Sequence, residues 1–119
     1  MLYSFYMDFN EYQKKSRATA KYPNVGDNLP YLGLGIAGES GEVADKIKKF
    51  IRDTEFTSVS DLTSEQKLPV AVELGDVLWY ISQLATELGF TLEEVATMNI
   101  EKLYSRMDRA KLGGSGDNR

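Results

Sequence analysis

The spacing of the apolar residues is the feature that most limits how this chain can fold. In four segments the apolar side chains recur every three to four residues, which is the period of an α-helix. Between these segments there is no convincing alternation of apolar and polar residues of the kind that a half-buried strand shows. The sequence therefore predicts an all-α protein built from four helices.

Capping residues and turn residues set the ends of the first two helices. Asp8 and Glu11 have the spacing of a capping box and begin a helix predicted over 8–22, which a turn containing proline and glycine ends. Asn28 is a favourable N-cap for the second helix, because its side-chain oxygen can accept a backbone N–H of the first turn. A proline two residues later suits that turn, and we expect this helix over 28–52.

The third helix follows a polar connection over 53–62. Thr63 and Gln66 have the capping-box spacing, so the helix should begin there. Pro69 has no backbone N–H and is acceptable only if it lies near the first turn. Gly89 is a suitable C-cap, because glycine readily adopts the left-handed conformation that often ends a helix.

A fourth helix and a short tail complete the chain. Thr91 and Glu94 have the capping-box spacing at the start of this helix. The last residues are polar and rich in glycine, which is typical of a loop or a chain end. We expect a single all-α domain over 1–112 and a glycine-rich C-terminal tail over 113–119.

The composition excludes several kinds of site. The 119-residue chain has no cysteine, which excludes disulfides and thiolate zinc sites, and no histidine, which excludes Ser-His-Asp triads and histidine general bases. The net charge of −4 disfavours binding to nucleic acid. No apolar run approaches the roughly 18 residues of a membrane span, and residues 1–9 lack the features of a signal peptide. We therefore expect a cytoplasmic protein without a membrane partner.

Two of the predicted helices carry pairs of carboxylates that interrupt their apolar stripes. Within each pair the residues are three apart, so both side chains leave the same side of the helix. The pairs are Glu39 and Glu42 in the second helix and Glu73 and Asp76 in the third. An ionised carboxylate in an apolar interior needs a partner, and two facing pairs would repel each other. A divalent cation would offset both effects, and oxygen ligands suit Mg²⁺ or Mn²⁺.

Two other interpretations of these carboxylates remain open from the spacing alone. Acidic pairs three residues apart usually belong to a solvated face of a helix. Alternatively, Glu39 and Glu73 form a purely structural network of ion pairs with basic residues of the second helix. The candidates for that network are Lys46, Lys48, Lys49 and Arg52.

The sequence around the carboxylates resembles the MazG-type nucleotide pyrophosphohydrolases, which belong to the all-α NTP pyrophosphatase superfamily. The hallmark of that superfamily is Glu-x-x-Glu followed, after a variable connection, by Glu-x-x-Asp. The similar stretches are 38–49 (Gly-Glu-Ser-Gly-Glu-Val and the residues that follow), 73–80 (Glu-Leu-Gly-Asp-Val-Leu-Trp-Tyr), 99–103 and 113–119. The resemblance covers most of the chain from about Phe9 onward.

This resemblance implies a four-helix, MazG-like bundle that splits a nucleoside triphosphate, ribo or deoxy, into a monophosphate and pyrophosphate. It implies Mg²⁺ as the cofactor, with Mn²⁺ as a substitute, and a homodimer or homotetramer with sites near the subunit contacts. The residues that match the family's metal-binding and catalytic carboxylates are Glu39, Glu42, Glu73 and Asp76. Because histidine is absent, one of these carboxylates is the natural acceptor for the proton of the attacking water.

Several basic and amide residues are candidate contacts for the triphosphate. Lys46 lies one helical turn after Glu42 and could reach phosphate oxygens or, alternatively, form a salt bridge with Glu42. The resemblance implies substrate contacts from the fourth helix, and glycines in the tail could let its backbone approach a phosphate. The further candidates are Asn99, Lys102, Arg106, Asn118 and Arg119.

Two aromatic residues, Trp79 and Tyr80, follow the second acidic pair. An aromatic ring there could stack on a nucleobase, but core packing is the more common role for a tryptophan one turn beyond a buried carboxylate. We therefore assign Trp79 to the core.

Three other functions are compatible with parts of this pattern. The same fold could act on a different pyrophosphate substrate, such as phosphoribosyl-ATP. A di-iron carboxylate bundle also places acidic residues inside helices, but it normally needs histidine ligands that this chain lacks. A helical interaction module without catalysis is the remaining alternative.

Overall fold

The computed structural model describes residues 6–111, and that part of the chain is entirely helical and contains no strand. The elements are α1 (Phe9–Arg17), α2 (Leu29–Asp53), a short 3-10 helix (Val59–Asp61), α3 (Ser64–Leu88) and α4 (Leu92–Lys111). The prediction of an all-α protein with four helices is confirmed.

Side-chain caps begin α3 and α4 as the sequence predicts. The hydroxyl of Thr63 accepts the N–H of Gln66 at 3.1 Å, and the Gln66 side chain accepts the N–H of Thr63 at 2.8 Å. Thr91 and Glu94 exchange the same two hydrogen bonds, each of 3.0 Å. Each exchange gives partners to two backbone donors that a helix start would otherwise leave unsatisfied.

The predicted start of α2 and end of α3 are also confirmed. The side-chain oxygen of Asn28 accepts the N–H of Tyr31 at 3.2 Å and so caps α2. At the end of α3, Gly89 has φ +82°, a left-handed conformation that costs glycine little because it has no Cβ.

The predicted end of α1 is wrong. Rather than continuing over 8–22, the helix ends at Arg17, and turns follow in which the N–H groups of Thr19 and Ala20 bond to carbonyls three residues earlier. These turns redirect the chain so that Tyr22 is buried against α3, where its hydroxyl accepts a hydrogen bond from Arg17 at 2.8 Å. Tertiary burial of one aromatic ring therefore decides where this helix stops.

Two local expectations need correction. Asp8 caps α1 by accepting the N–H of Glu11 at 2.8 Å, but the Glu11 side chain pairs with Lys15 and leaves the capping box half formed. Pro69 lies inside α3, beyond its first turn. The helix tolerates the missing N–H there because the carbonyl that loses its partner belongs to Glu65, an exposed residue whose backbone water can reach.

The two long helices, α2 and α3, pack against each other along their lengths and run antiparallel. The start of α2 meets the end of α3, where Gly35 lies under the ring of Tyr80, and the end of α2 meets the start of α3, where Phe50 and Val70 line one apolar pocket. A Cβ on Gly35 would lie 2.1 Å from the Tyr80 ring, so this approach requires glycine. Helix α1 packs on α3 and α4, whereas no Cα atoms of α2 and α4 lie within 8 Å of each other, although Ile36 and Val95 line one pocket.

A buried polar network fixes α1 on α3. The hydroxyls of Ser16 and Ser82 are 2.9 Å apart, and the Gln83 amide donates to Ser16 at 3.3 Å. Arg17 donates to the Gln83 side-chain oxygen at 3.1 Å. Because each of these groups has a partner, the network holds the two helices in one register without leaving buried polar atoms unsatisfied.

The apolar core of residues 6–111 is small. The buried apolar residues in this range are Tyr22, Leu32, Ala85 and Leu92. Ile47, Leu74 and Leu88, which recur at the helical spacing of α2 and α3, are exposed. Large apolar side chains are exposed on α2, α3 and α4, including Leu34, Ile51, Leu68, Val72 and Tyr104. One copy of the chain thus leaves much of its apolar surface uncovered.

None of the helices in this range has the length and apolar character needed to span a bilayer.

Candidate metal centre

Three of the four predicted carboxylates converge where α2 and α3 face each other. Glu39 of α2 and Glu73 and Asp76 of α3 each offer a carboxylate oxygen, and these atoms lie within 4.8 Å of one another. Glu39 and Glu73 are half-buried, while Asp76 is exposed. The site is therefore open to solvent on one side and covered by the helices on the other.

The close approach at Gly35 explains why these side chains meet. With Gly35 opposite Tyr80, antiparallel packing places residues one turn further along α2 opposite residues one turn earlier in α3. Glu39 is four residues after Gly35, and Asp76 is four residues before Tyr80. Glycine at one position thus brings two carboxylates into proximity one turn away.

The carboxylates repel each other in the absence of a cation. Burial raises the pKa of Glu39, and the negative charges of Asp76, Glu73 and Glu42 raise it further. Ionising Glu39 therefore costs more free energy in the folded protein than in an isolated side chain. A bound divalent cation would reverse that cost.

The alternative ion-pair network is not formed within residues 6–111. Lys48 and Lys49 pair with Asp45 at 3.0 and 2.8 Å, and their hydrogen bonds, with Lys49 contributing most, lower the pKa of Asp45 to about 2. Arg52 pairs with Asp53 at 2.6 Å. These basic residues therefore neutralise other carboxylates, and the three converging ones have no salt bridge in the described part of the chain.

Glu42 and Lys46 lie at the edge of this arrangement. Glu42 is exposed and does not belong to the group of three, although its charge contributes to the raised pKa of Glu39. The salt bridge considered between Glu42 and Lys46 is absent within the described range. Lys46 therefore remains a predicted phosphate contact.

The substrate contacts predicted on α4 lie on a helix that packs on α1 and α3. Asn99 and Lys102 are exposed and Arg106 is half-buried. Asn118 and Arg119 lie outside the described residues. These five positions stay predictions.

Comparison with known proteins gives the family. The profile of the MazG nucleotide pyrophosphohydrolase domain matches residues 29–110, which include α2, α3 and nearly all of α4. This chain belongs to the MazG family. The match covers the four carboxylates and does not extend over α1, which packs on α3 and α4.

Curated relatives of this MazG-family chain carry names that do not state an activity. It is 42% identical over 118 residues to the gene 37 protein of Mycobacterium phage L5, an alignment that covers 95% of this chain and 100% of the phage protein. It is 33% identical over 84 residues to the uncharacterized protein YvdC of Bacillus subtilis (strain 168), covering 68% of this chain and 78% of that protein. No solved structure gives a significant match.

The residues of this MazG domain fit a hard divalent cation. Three carboxylate oxygens within 4.8 Å can ligate one ion, and a donor set of oxygens alone suits Mg²⁺ better than a soft metal. Burial and then the neighbouring negative charges raise the pKa of Glu39, and a cation bound among these carboxylates would oppose that rise.

Two tyrosines interact with the carboxylates: Tyr80, which the sequence offered only as a ring that could stack on a base, and Tyr12, which was not predicted as a site residue. Burial raises the pKa of Tyr80, and the nearby Tyr31, Glu39 and Asp76 raise it further. Tyr12 of α1 is half-buried, and the charge of Asp76 adds to burial in raising its pKa. Gly35 was a usable signal for Tyr80, because a glycine inside a helix often marks close packing. Nothing in the spacing could indicate Tyr12, since α1 meets α3 only through tertiary packing.

Proposed function

We propose that this chain hydrolyses nucleoside triphosphates, ribo or deoxy, to the monophosphate and pyrophosphate. The observation that carries this proposal is the convergence of Glu39, Glu73 and Asp76, within 4.8 Å and without a cationic partner in the described residues, inside a MazG domain. We assign these residues and Glu42 to holding Mg²⁺, for which Mn²⁺ can substitute.

The chain's own residues hold and orient the reacting groups. When bound, a divalent cation would neutralise charge on the triphosphate and acidify a nearby water. The carboxylates would hold that cation where α2 and α3 face each other. Water attacks the α-phosphorus while one carboxylate of the cluster accepts its proton, and the bond from that phosphorus to the α–β bridging oxygen breaks, so that pyrophosphate leaves. No histidine competes for the proton-acceptor role.

Cations beyond the metal would bind the triphosphate. Lys46 is half-buried on α2, one turn beyond Glu42, and has no salt bridge within residues 6–111, so its ammonium group is available for phosphate oxygens. We propose further substrate contacts from α4 and the tail. These are Asn99, Lys102, Arg106, Asn118 and Arg119.

A second copy of the chain would cover apolar surface that one copy leaves exposed. Exposed apolar side chains on α2, α3 and α4 form a surface that a single copy does not cover. We propose a homodimer or homotetramer in the cytoplasm, where its nucleotide substrates are found, acting in the control of nucleotide pools.

The direct test is a panel of NTPs and dNTPs incubated with the purified chain and Mg²⁺, with pyrophosphate and orthophosphate measured separately. We expect one pyrophosphate per monophosphate, no orthophosphate, and no product in EDTA. The Glu65→Gln variant is a matched control, since Glu65 is an exposed carboxylate at the start of α3, outside the cluster. Release of orthophosphate, or turnover that persists in EDTA, would contradict the proposal.

A further inference from the structure

A mostly apolar groove lies between α1 and α3, beside the carboxylates. We call it the Trp79 groove, and its walls include Met7, Tyr12, Ala18, Thr19 and Trp79. Its volume of about 420 Å³ lies within the range of small-molecule sites. The MazG profile does not cover the α1 side of this groove.

The groove adjoins the proposed metal centre along α3. On α3, Trp79 is three residues after Asp76, so the two side chains leave the same side of the helix one turn apart. On α1, Tyr12 lies within electrostatic reach of Asp76. A ligand whose charged end is held at the carboxylates can therefore extend an uncharged end into the groove.

The indole ring is held in a fixed orientation. The indole N–H of Trp79 donates to the Thr19 hydroxyl at 2.8 Å. Tyr80 and Tyr22 contact the indole in edge-to-face geometry, with ring centroids 4.9 and 6.4 Å away. Trp79 is half-buried, so its assignment to a closed core needs correction. A fixed and partly exposed aromatic ring is suited to stacking.

Three polar side chains of the groove, those of Thr19, Ser16 and Lys15, already have partners. The Thr19 hydroxyl accepts from Trp79 and donates to the Ser16 carbonyl at 2.6 Å. The Ser16 hydroxyl bonds to Ser82, and Lys15 pairs with Glu11. The groove can therefore contact the faces of a flat ring, but it offers few groups to read hydrogen-bonding atoms on the edge of that ring.

We propose that the Trp79 groove binds the base of the nucleotide, with Trp79 as the stacking surface and Tyr12 as the opposite wall. This rests on the proposed function, because the base follows from a triphosphate held at the carboxylates. Stacking accepts any base, since each has an aromatic face. The chain should therefore bind a nucleotide with any base more tightly than it binds inorganic tripolyphosphate.

The intrinsic fluorescence of the full-length protein tests this directly, because Trp79 is the only tryptophan. The probes are α,β-imido deoxynucleoside triphosphates, which are not hydrolysed, titrated with Mg²⁺ in excess. We expect saturable quenching by each of the four nucleotides and none by inorganic tripolyphosphate, whose binding is followed by calorimetry. Nucleotide binding in calorimetry without a change in fluorescence would overturn the proposal.

Kinetics of two variants provide the second test. Trp79→Leu and Tyr12→Leu should raise KM for each dNTP about tenfold with kcat nearly unchanged, because the base is held equally before and during the reaction. Inhibition by tripolyphosphate should not change. Phe9→Leu is the control, since Phe9 is an exposed aromatic of α1 that does not line the groove.

The outcomes separate this proposal from the proposed function. If wild-type protein releases no pyrophosphate, the proposed function fails, and the fluorescence titration still tests the groove. If a folded variant keeps a normal KM, the groove does not bind the base. A normal KM with an altered molar mass would mean that the groove is a subunit contact, which also overturns the proposal. Should Trp79→Leu not fold, Tyr12→Leu carries the test.

Discussion

At the residue scale, the proposed metal centre depends on carboxylates that have no salt bridge within residues 6–111. Each proposed ligand, when neutralised, would remove charge stabilisation from the reacting phosphates. We expect each such substitution to lower kcat by at least about 10²-fold at saturating Mg²⁺. The variants are Glu39→Gln, Glu42→Gln, Glu73→Gln and Asp76→Asn. Near-native turnover in two or more of them would show that the site is wrongly assigned.

The raised pKa of Glu39 makes a second residue-scale prediction, for the metal-free protein. Burial and the neighbouring charges raise this pKa, so Glu39 favours folding below its unfolded pKa, and that contribution is lost as the pH rises through the folded value. At neutral pH, Glu39→Gln should therefore raise the Tm in EDTA or leave it unchanged. Glu65→Gln is the exposed control. A destabilisation of about 3–5 kcal/mol would instead indicate a buried ion pair.

Metal binding should be linked to the same carboxylate. A ligand that binds only the folded state stabilises it by about 2.7 kcal/mol at a hundredfold excess over Kd. Wild-type Tm should rise with Mg²⁺ at matched ionic strength, and Glu39→Gln should lose most of this rise. Because protons compete with the metal for Glu39, the rise should shrink as pH falls through its raised pKa. A wild-type Tm that does not respond to Mg²⁺ would contradict the site.

At the element scale, one carboxylate of α3 holds the loop that leads into α2. Glu87 accepts the N–H groups of Asn28 at 2.6 Å and Gly26 at 3.2 Å, together with the Tyr22 hydroxyl. Burial raises the pKa of Glu87, but these hydrogen bonds outweigh it and the pKa is lowered. The loop and the start of α2 are therefore fixed on α3 by one side chain.

Removing this carboxylate should destabilise the fold without altering the carboxylate cluster. We expect Glu87→Ala to lower the free energy of unfolding by about 2 kcal/mol at pH 7, since hydrogen bonds to a charged group are lost. A lowered pKa stabilises the fold above the unfolded pKa, and that stability disappears as pH falls through the folded value. The difference between wild type and variant, measured by urea unfolding, should thus shrink in acid. A difference independent of pH would contradict an ionic role.

At the scale of the whole molecule, the small core of one copy predicts an assembly. Apolar residues such as Leu34 (76% exposed) and Ile51 (68% exposed) would be covered by a second copy. Size-exclusion chromatography with light scattering should give two or four times 13.4 kDa at micromolar concentration. Leu34→Glu should lower that mass, whereas Glu65→Gln should not. A wild-type mass near 13.4 kDa would contradict the assembly.

The sequence by itself determined where helices begin and which chemical groups they carry. Local hydrogen bonds decide where a helix begins, so capping residues such as Thr63 and Thr91 could be recognised from spacing alone. The absence of histidine and the acidic pairs of α2 and α3 limited the site to oxygen ligands. These properties depend on residues close together in the chain.

Only the tertiary structure decided which of these residues meet. The spacing in the sequence does not distinguish Glu39 from Glu42. The packing of Gly35 under Tyr80 brings Glu39 close to Asp76, whereas Glu42 lies outside the group of three. Burial of Tyr22 ended α1 early, and the packing of α1 on α3 left Trp79 beside a groove. Such contacts join distant parts of the chain through side-chain shape, which periodicity does not encode.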